Sequence, residues 1–179
     1  MEIKIVPLFE RKKEWLVELY DALCRRFSLV FELTSPMSLP PSLKPKGGGI
    51  SAFLVIEFLF VHFPLFSKVI GITGLQILTF PYGASFGVTD ATRRVAVISI
   101  SNIPPFPKAL FLERLAKVTI HELGHLMGLD HCSEKDCLMS PSEGKIDLID
   151  KKRGFCPSHR RAFAPFYRGG QGEDKIILF

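Results

Sequence analysis

The chain of 179 residues has one tryptophan, three tyrosines, five histidines and four cysteines. Four cysteines are far below the roughly 8–10% that marks a disulfide scaffold. The N-terminal MEIKIVPLF has too short an apolar run, and is too acidic at its start, for a secretory leader. A reducing, cytoplasmic location is therefore expected, where clustered cysteines read as metal sites before disulfides. A long apolar run is also missing. The most apolar stretch, Ile50 to Phe66, carries Glu57, His62 and Pro64. It falls short of the roughly 20 residues a membrane span needs. A carboxylate at mid-membrane would cost about 2.5–3.5 kcal/mol. The stretch reads as a buried helix, with His62 as a satisfied core histidine, and no membrane partner is expected.

A basic stripe with interleaved aromatics is absent as well. The net charge of +5 is scattered over Arg11-Lys12-Lys13, Arg25-Arg26, Arg93-Arg94, Lys151-Lys152-Arg153 and Arg160-Arg161. Such a pattern reads as a solvated cationic surface, and no nucleic-acid partner is expected. No internal repeat is visible.

What is present fits one soluble globular domain, at 47% hydrophobic and 23% charged residues. Residues 2–9 and 29–34 read as strands. Between them, Trp15, Leu16, Leu19, Tyr20, Leu23 and Phe27 recur at helical spacing over 13–28. Cys24 falls beside that apolar face, as a small core residue. Residues 35–49 hold four prolines and three glycines and read as a loop. Residues 68–80 hold one or two strands interrupted by Gly71 and Gly74, and 81–87 is a turn-rich loop. Residues 93–101 are the clearest strand, with Val95, Val97 and Ser99 alternating with Ala96, Ile98 and Ile100. A helix is predicted from Lys108 to Leu126, and the chain beyond it is irregular.

Residues 121–131 read HELGHLMGLDH. Positions four apart share a helix face, so His121 and His125 can aim at one ion. Zn–N distances near 2.0–2.1 Å are expected. Glu122 stands one step round the helix, within reach of a water on that ion as general base. Gly128 lets the backbone leave the helix in a left-handed conformation, which brings His131 back as third ligand. Three protein ligands leave an open position, the catalytic arrangement. Five specified positions recur by chance on the order of once in three million starts. The competing reading is a surface helix with unrelated histidines.

Cys132 follows His131 directly, Cys137 lies five residues on, and Cys156-Pro157-Ser158-His159 adds a CxxH pair. Together they make a Cys3His set, the closed tetrahedral type of structural zinc. Such a clip would contribute folding energy. A Cys132–Cys137 disulfide or free thiols are the alternatives.

The run His121-Glu122-x-x-His125-x-x-Gly128-x-x-His131-Cys132, continued by Cys137, Met139 and Cys156-x-x-His159, resembles the archaemetzincins, within the metzincin clan of zinc metallopeptidases. The motif region covers about 40 residues, with weaker likeness through SFG at 85–87 back to residue 68. The family's usual fourth cysteine is His159 here, and LQILTF after Gly74 lacks an acidic residue expected of the family's strand. The resemblance implies an α/β (α+β) class and a metzincin-like zincin fold, with a mixed twisted sheet over an active-site helix. It implies a single catalytic domain over 1–179, divided into 1–127 and an irregular subdomain at 128–179. It makes residues 95–100 the edge strand that pairs with an extended peptide, and Met139 the Met-turn beneath the catalytic zinc.

The expected function is peptide-bond hydrolysis by a monomer holding two zinc ions. Glu122 is the catalytic base, the substrate is a peptide or protein, and Tyr82 and Tyr167 are candidate oxyanion partners. The 35–49 loop or a narrow cleft is a candidate control element. Two rivals stay open: an inactive zinc-binding, peptide-binding scaffold, and a basic nucleic-acid-binding zinc protein.

Overall fold

The computed structural model describes residues 2–9, 13–43, 48–63, 67–81 and 83–168. β1 (Glu2–Leu8), α1 (Glu14–Arg26) and β2 (Val30–Leu33) form a first parallel crossover. A second sheet starts with the short β3 (Ile50–Ser51), followed by α2 (Ala52–His62). Then come β4 (Lys68–Thr73), β5 (Ile77–Thr79), β6 (Gly83–Ser85), β7 (Gly87–Asp90) and β8 (Val95–Ser99). The main sheet runs β2-β1-β4-β8-β7, all parallel except β7, which pairs antiparallel with β8. β3, β5 and β6 make the smaller sheet.

The clear alternation over 95–99 now has a physical cause. Ala96 and Ile98 join the core under α1 and the long helix α3 (Lys108–Leu126). Val95 and Val97 join the opposite core, under α2. Both faces of the sheet are covered, so every residue of β8 is buried. Gly71 runs through β4 without breaking it, and a Cβ there would lie 2.5 Å from Leu59 Cδ1 of α2. The glycine lets the helix approach the sheet closely.

Three expectations need correction. The strand at 95–99 lies inside the sheet, and the edge is β7, which begins at the end of the expected 81–87 loop and runs through residues given no element. The chain reverses over 91–94 and folds 87–90 back along β8. Next, α2 is only half buried: Val55, Ile56 and Leu59 face the core, while Phe53, Leu54 and Val61 are exposed. A helix apolar on every side carries no sign of which face goes inward. His62 is exposed rather than in the core, its Nδ1 2.7 Å from the Phe58 carbonyl. Finally, the segment after Leu126 holds two short helices, α4 (Ile146–Lys151) and α5 (Pro157–Phe163). Arg114 of α3 clamps α4 through both oxygens of Asp150, at 2.8 and 2.6 Å.

Candidate metal centres and cleft

α3 carries His121, Glu122 and His125 in its last turns. The helix ends at Gly128, whose φ of +90° is the left-handed conformation that glycine accepts without strain. Gly128 N–H donates to the His125 carbonyl at 3.0 Å and Leu129 N–H to the Gly124 carbonyl at 2.9 Å. That turn brings His131 beside the other two. One nitrogen from each ring lies within 4.8 Å of the others.

The donor geometry suits a tetrahedral cation. His121 Nδ1 is 2.6 Å from the Leu138 carbonyl, and His125 Nδ1 is 2.8 Å from the Leu129 carbonyl. A carbonyl can only accept, so each Nδ1 carries the proton and each Nε2 is left with a free lone pair. The two Nε2 atoms are 3.1 Å apart. Ligands at 2.0–2.1 Å from a tetrahedral zinc would be about 3.3 Å apart. Burial, then the positive charge of Lys152, pushes His121 down to about 3. Burial likewise lowers His125 and His131. Neutral imidazole is the form that binds a metal.

Glu122 is buried against the edge strand. The Thr89 hydroxyl donates to its Oε2 at 2.6 Å. A Cβ at Gly87 would stand 2.3 Å from its Oε1. Burial pushes the carboxyl up to about 7, against the opposing pull of Thr89 and Lys152. These residues border a cleft of about 660 Å³ whose walls include His121, Glu122, His131, Phe86, Lys117 and Lys152. Beneath it, Met139 is fully buried. A Cβ on Gly124 would lie 2.5 Å from the Met139 sulfur, so this glycine lets the Met139 side chain pack directly on α3.

The second cluster gathers Cys132, Cys137, Cys156 and His159, again with one donor atom each within 4.8 Å of the others. Cys132 and Cys156 sulfurs are 3.8 Å apart. Tetrahedral Zn–S bonds near 2.3 Å give about the same spacing. His159 Nδ1 lies 3.0 Å from the Cys156 sulfur and 3.9 Å from that of Cys137, while its Nε2 meets the Asp130 carbonyl at 3.2 Å. All four cysteines of the chain are free thiols, Cys24 included, and Cys24 packs against the main core. Burial pushes Cys137 up to about 12. Burial also works against a Cys156 thiolate, but hydrogen bonds from His159, Cys132 and Cys137 outweigh it and the thiol is lowered. Cys132 N–H donates to the Met139 carbonyl at 2.9 Å, so the two clusters share a backbone hydrogen bond.

Not every expected residue arrives. Tyr167 packs on Phe27 and Phe163 and takes no part in the cleft wall. Tyr82 lies outside the described residues, as do 44–47 of the proline-rich loop. Leu39 of that loop is buried in the core under α2, and none of the described loop residues lines the cleft. Gly87, Thr89, Gly124 and Lys152 escaped the sequence reading. Of these, Gly87 alone left a trace, as the last residue of the SFG likeness.

A helix end presenting three converging imidazoles beside a buried carboxylate, under an edge strand, defines a zincin-type site. The family model described as Peptidase family M54 matches residues 61–163, and the chain belongs to that family. It is 33% identical over 91 residues to the archaemetzincin of Methanopyrus kandleri, covering 51% of this chain and 52% of that protein. The chain thus spans about half the length of the curated relatives it matches. The archaemetzincin of Archaeoglobus fulgidus, solved with malonate, superposes with a TM-score of 0.79 at 23% identity, over 90% of this chain and 99% of that one. That of M. kandleri gives 0.77 at 25% identity, over 89% and 91%. Among the described residues, no helix is long and apolar enough to cross a membrane.

Proposed function

We propose that the chain is a zinc-dependent metallopeptidase. The observation that carries this is a buried carboxylate, Glu122, beside three converging imidazoles, of which His121 and His131 line the same cleft. His121, His125 and His131 hold the catalytic zinc. Cys132, Cys137, Cys156 and His159 hold a second, structural zinc. When bound, the catalytic ion supplies Lewis-acid activation of a water and polarisation of the scissile carbonyl. Glu122 takes the proton of the attacking water and passes it to the leaving amine, so that peptide and water become acid and amine. The Thr89 hydroxyl fixes the orientation of that carboxylate. Met139 forms the Met-turn, as a buried apolar support for the two helical histidines. An extended peptide pairs with the free edge of β7 by strand addition.

The catalytic unit is the single domain 1–179, with the described residues 128–168 supplying the lower wall. A cytoplasmic monomer without nucleic-acid partners fits the scattered charge and the free thiols. The test is zinc analysis beside a mixed-peptide cleavage assay on wild type and Glu122→Gln. Wild type should cleave. Glu122→Gln should keep its zinc and lose roughly 10³-fold in turnover. Zinc-loaded wild type that cleaves nothing across a broad library would overturn the peptidase reading.

A further inference from the structure

Lys152 caps the C-terminal end of α4. It is only 4% exposed, yet it lines the cleft with His121, Glu122 and His131. Its ammonium donates to the Leu138 carbonyl at 3.2 Å and to the Ser140 carbonyl, on either side of Met139. Among the described residues no carboxylate lies within ion-pair distance of it. Glu122 and Cys137 attract the ammonium only from beyond contact distance, and the acidic groups nearby have closer partners. Lys117, the other lysine of the wall, holds Glu113 at 2.7 Å. Glu122 is held by Thr89, and the exposed Glu143 of the rim meets Lys145 at 3.1 Å.

An ammonium has three N–H donors, and two carbonyls satisfy two of them. A charge this deeply buried is costly unless an opposite charge answers it. Lys152 borders a cleft of about 660 Å³, large enough for a side chain that brings such a charge. We propose that Lys152 is the cationic floor of a subsite that takes a carboxylate of the bound peptide. That carboxylate is an acidic side chain near the scissile bond or the free C-terminus. The subsite rests on the peptidase reading of the same cleft. It makes Lys152 a specificity-determining residue for peptides that present a carboxylate close to the scissile bond.

The test measures binding rather than turnover. Zinc-loaded protein carrying Glu122→Gln is titrated with fluorescent peptides that differ only by Glu or Gln at each position. Each is made with a free and with an amidated C-terminus. One carboxylate should tighten binding by about tenfold, in line with a hydrogen bond to a charged group. Adding Lys152→Gln, which removes the charge but keeps two donors for Leu138 and Ser140, should erase the preference. A preference tied to Glu over Gln assigns a side chain, and one tied to the free end assigns the C-terminus; both sustain the proposal. Equal binding of acids and amides overturns it. So does a preference that survives in a Lys152→Gln variant with the wild-type circular dichroism spectrum. If that variant does not fold, the preference and its weakening with salt in the Lys152 protein decide. A wild type that binds acidic peptides tightly but cleaves none would count against the peptidase reading alone.

Discussion

The two donor clusters stand on one short stretch of chain and are built in opposite ways. Three histidines come from a rigid helix end and its glycine turn, and their fourth side faces the cleft. The Cys3His group closes on itself, with four donors from two loops and the start of a short helix. The first buries a carboxylate that no structural site needs. The second ties residues 132–159 into a unit with little regular secondary structure. On the proposed reading the contrast separates chemistry from cohesion: an ion leaving the open cluster would spare its frame, because α3 is held by the core. The closed cluster ties together loops whose other anchors are Leu138, Met139, Phe155 and Phe163 in the core and the backbone pair of Leu138 with Gly154.

The largest expected effect follows from that difference. Cys156→Ser should lose one zinc and about 3–5 kcal/mol of stability, since a structural zinc contributes folding energy directly. For a chain of this size the melting temperature should fall by on the order of 10 °C. His125→Ala, measured beside it by calorimetry, should fall much less. Equal losses would break the comparison.

A smaller effect sharpens the open site. Gly87→Ala places a methyl 2.3 Å from Glu122 Oε1, and the carboxylate, as the flexible partner, must swing aside. A displacement of about 1 Å can cost roughly 10²-fold. Turnover should drop by that order while the melting temperature stays within about 2 °C, the size of a shift well under 1 kcal/mol.

The smallest effect lies outside both clusters, at the turn that folds β7 onto β8. Burial opposes the charge of Asp90. The Thr92 hydroxyl at 2.6 Å, the Arg93 amide at 3.0 Å and the Arg93 guanidinium at 2.7 Å outweigh it and hold the carboxyl at about 2. A depressed carboxyl stabilises the fold above its ordinary value and stops doing so as pH falls through its folded value. Asp90→Asn should therefore cost about 1 kcal/mol at pH 7, after allowance for partial exposure. Urea melts should show the difference shrinking between about pH 4 and pH 2, with zinc binding untouched at pH 7.

The sequence carried much of this frame. The helix over 108–126 and the five motif residues were legible because helical spacing and ligand chemistry are local. The cysteine set was legible because its members are few and close together. What escaped depends on tertiary contact. β7 is short and lacks alternation, so only its pairing with β8 reveals it as the edge. Thr89 and Gly87 gain their meaning from Glu122, thirty-odd residues away. Lys152 looked like one basic residue among three, until burial set it beside the cleft. α2 looked buried because its sequence is apolar on every face.

The central claim is that an open site does the chemistry while a closed one holds the fold. Stepwise removal of zinc with a chelator tests it most directly, following zinc per chain, peptide cleavage and circular dichroism on one sample. Two ions should leave in turn: the first takes cleavage and spares the spectrum, and the second takes the spectrum. Cleavage that survives the first loss while the spectrum collapses, or a single ion serving both, would contradict the account.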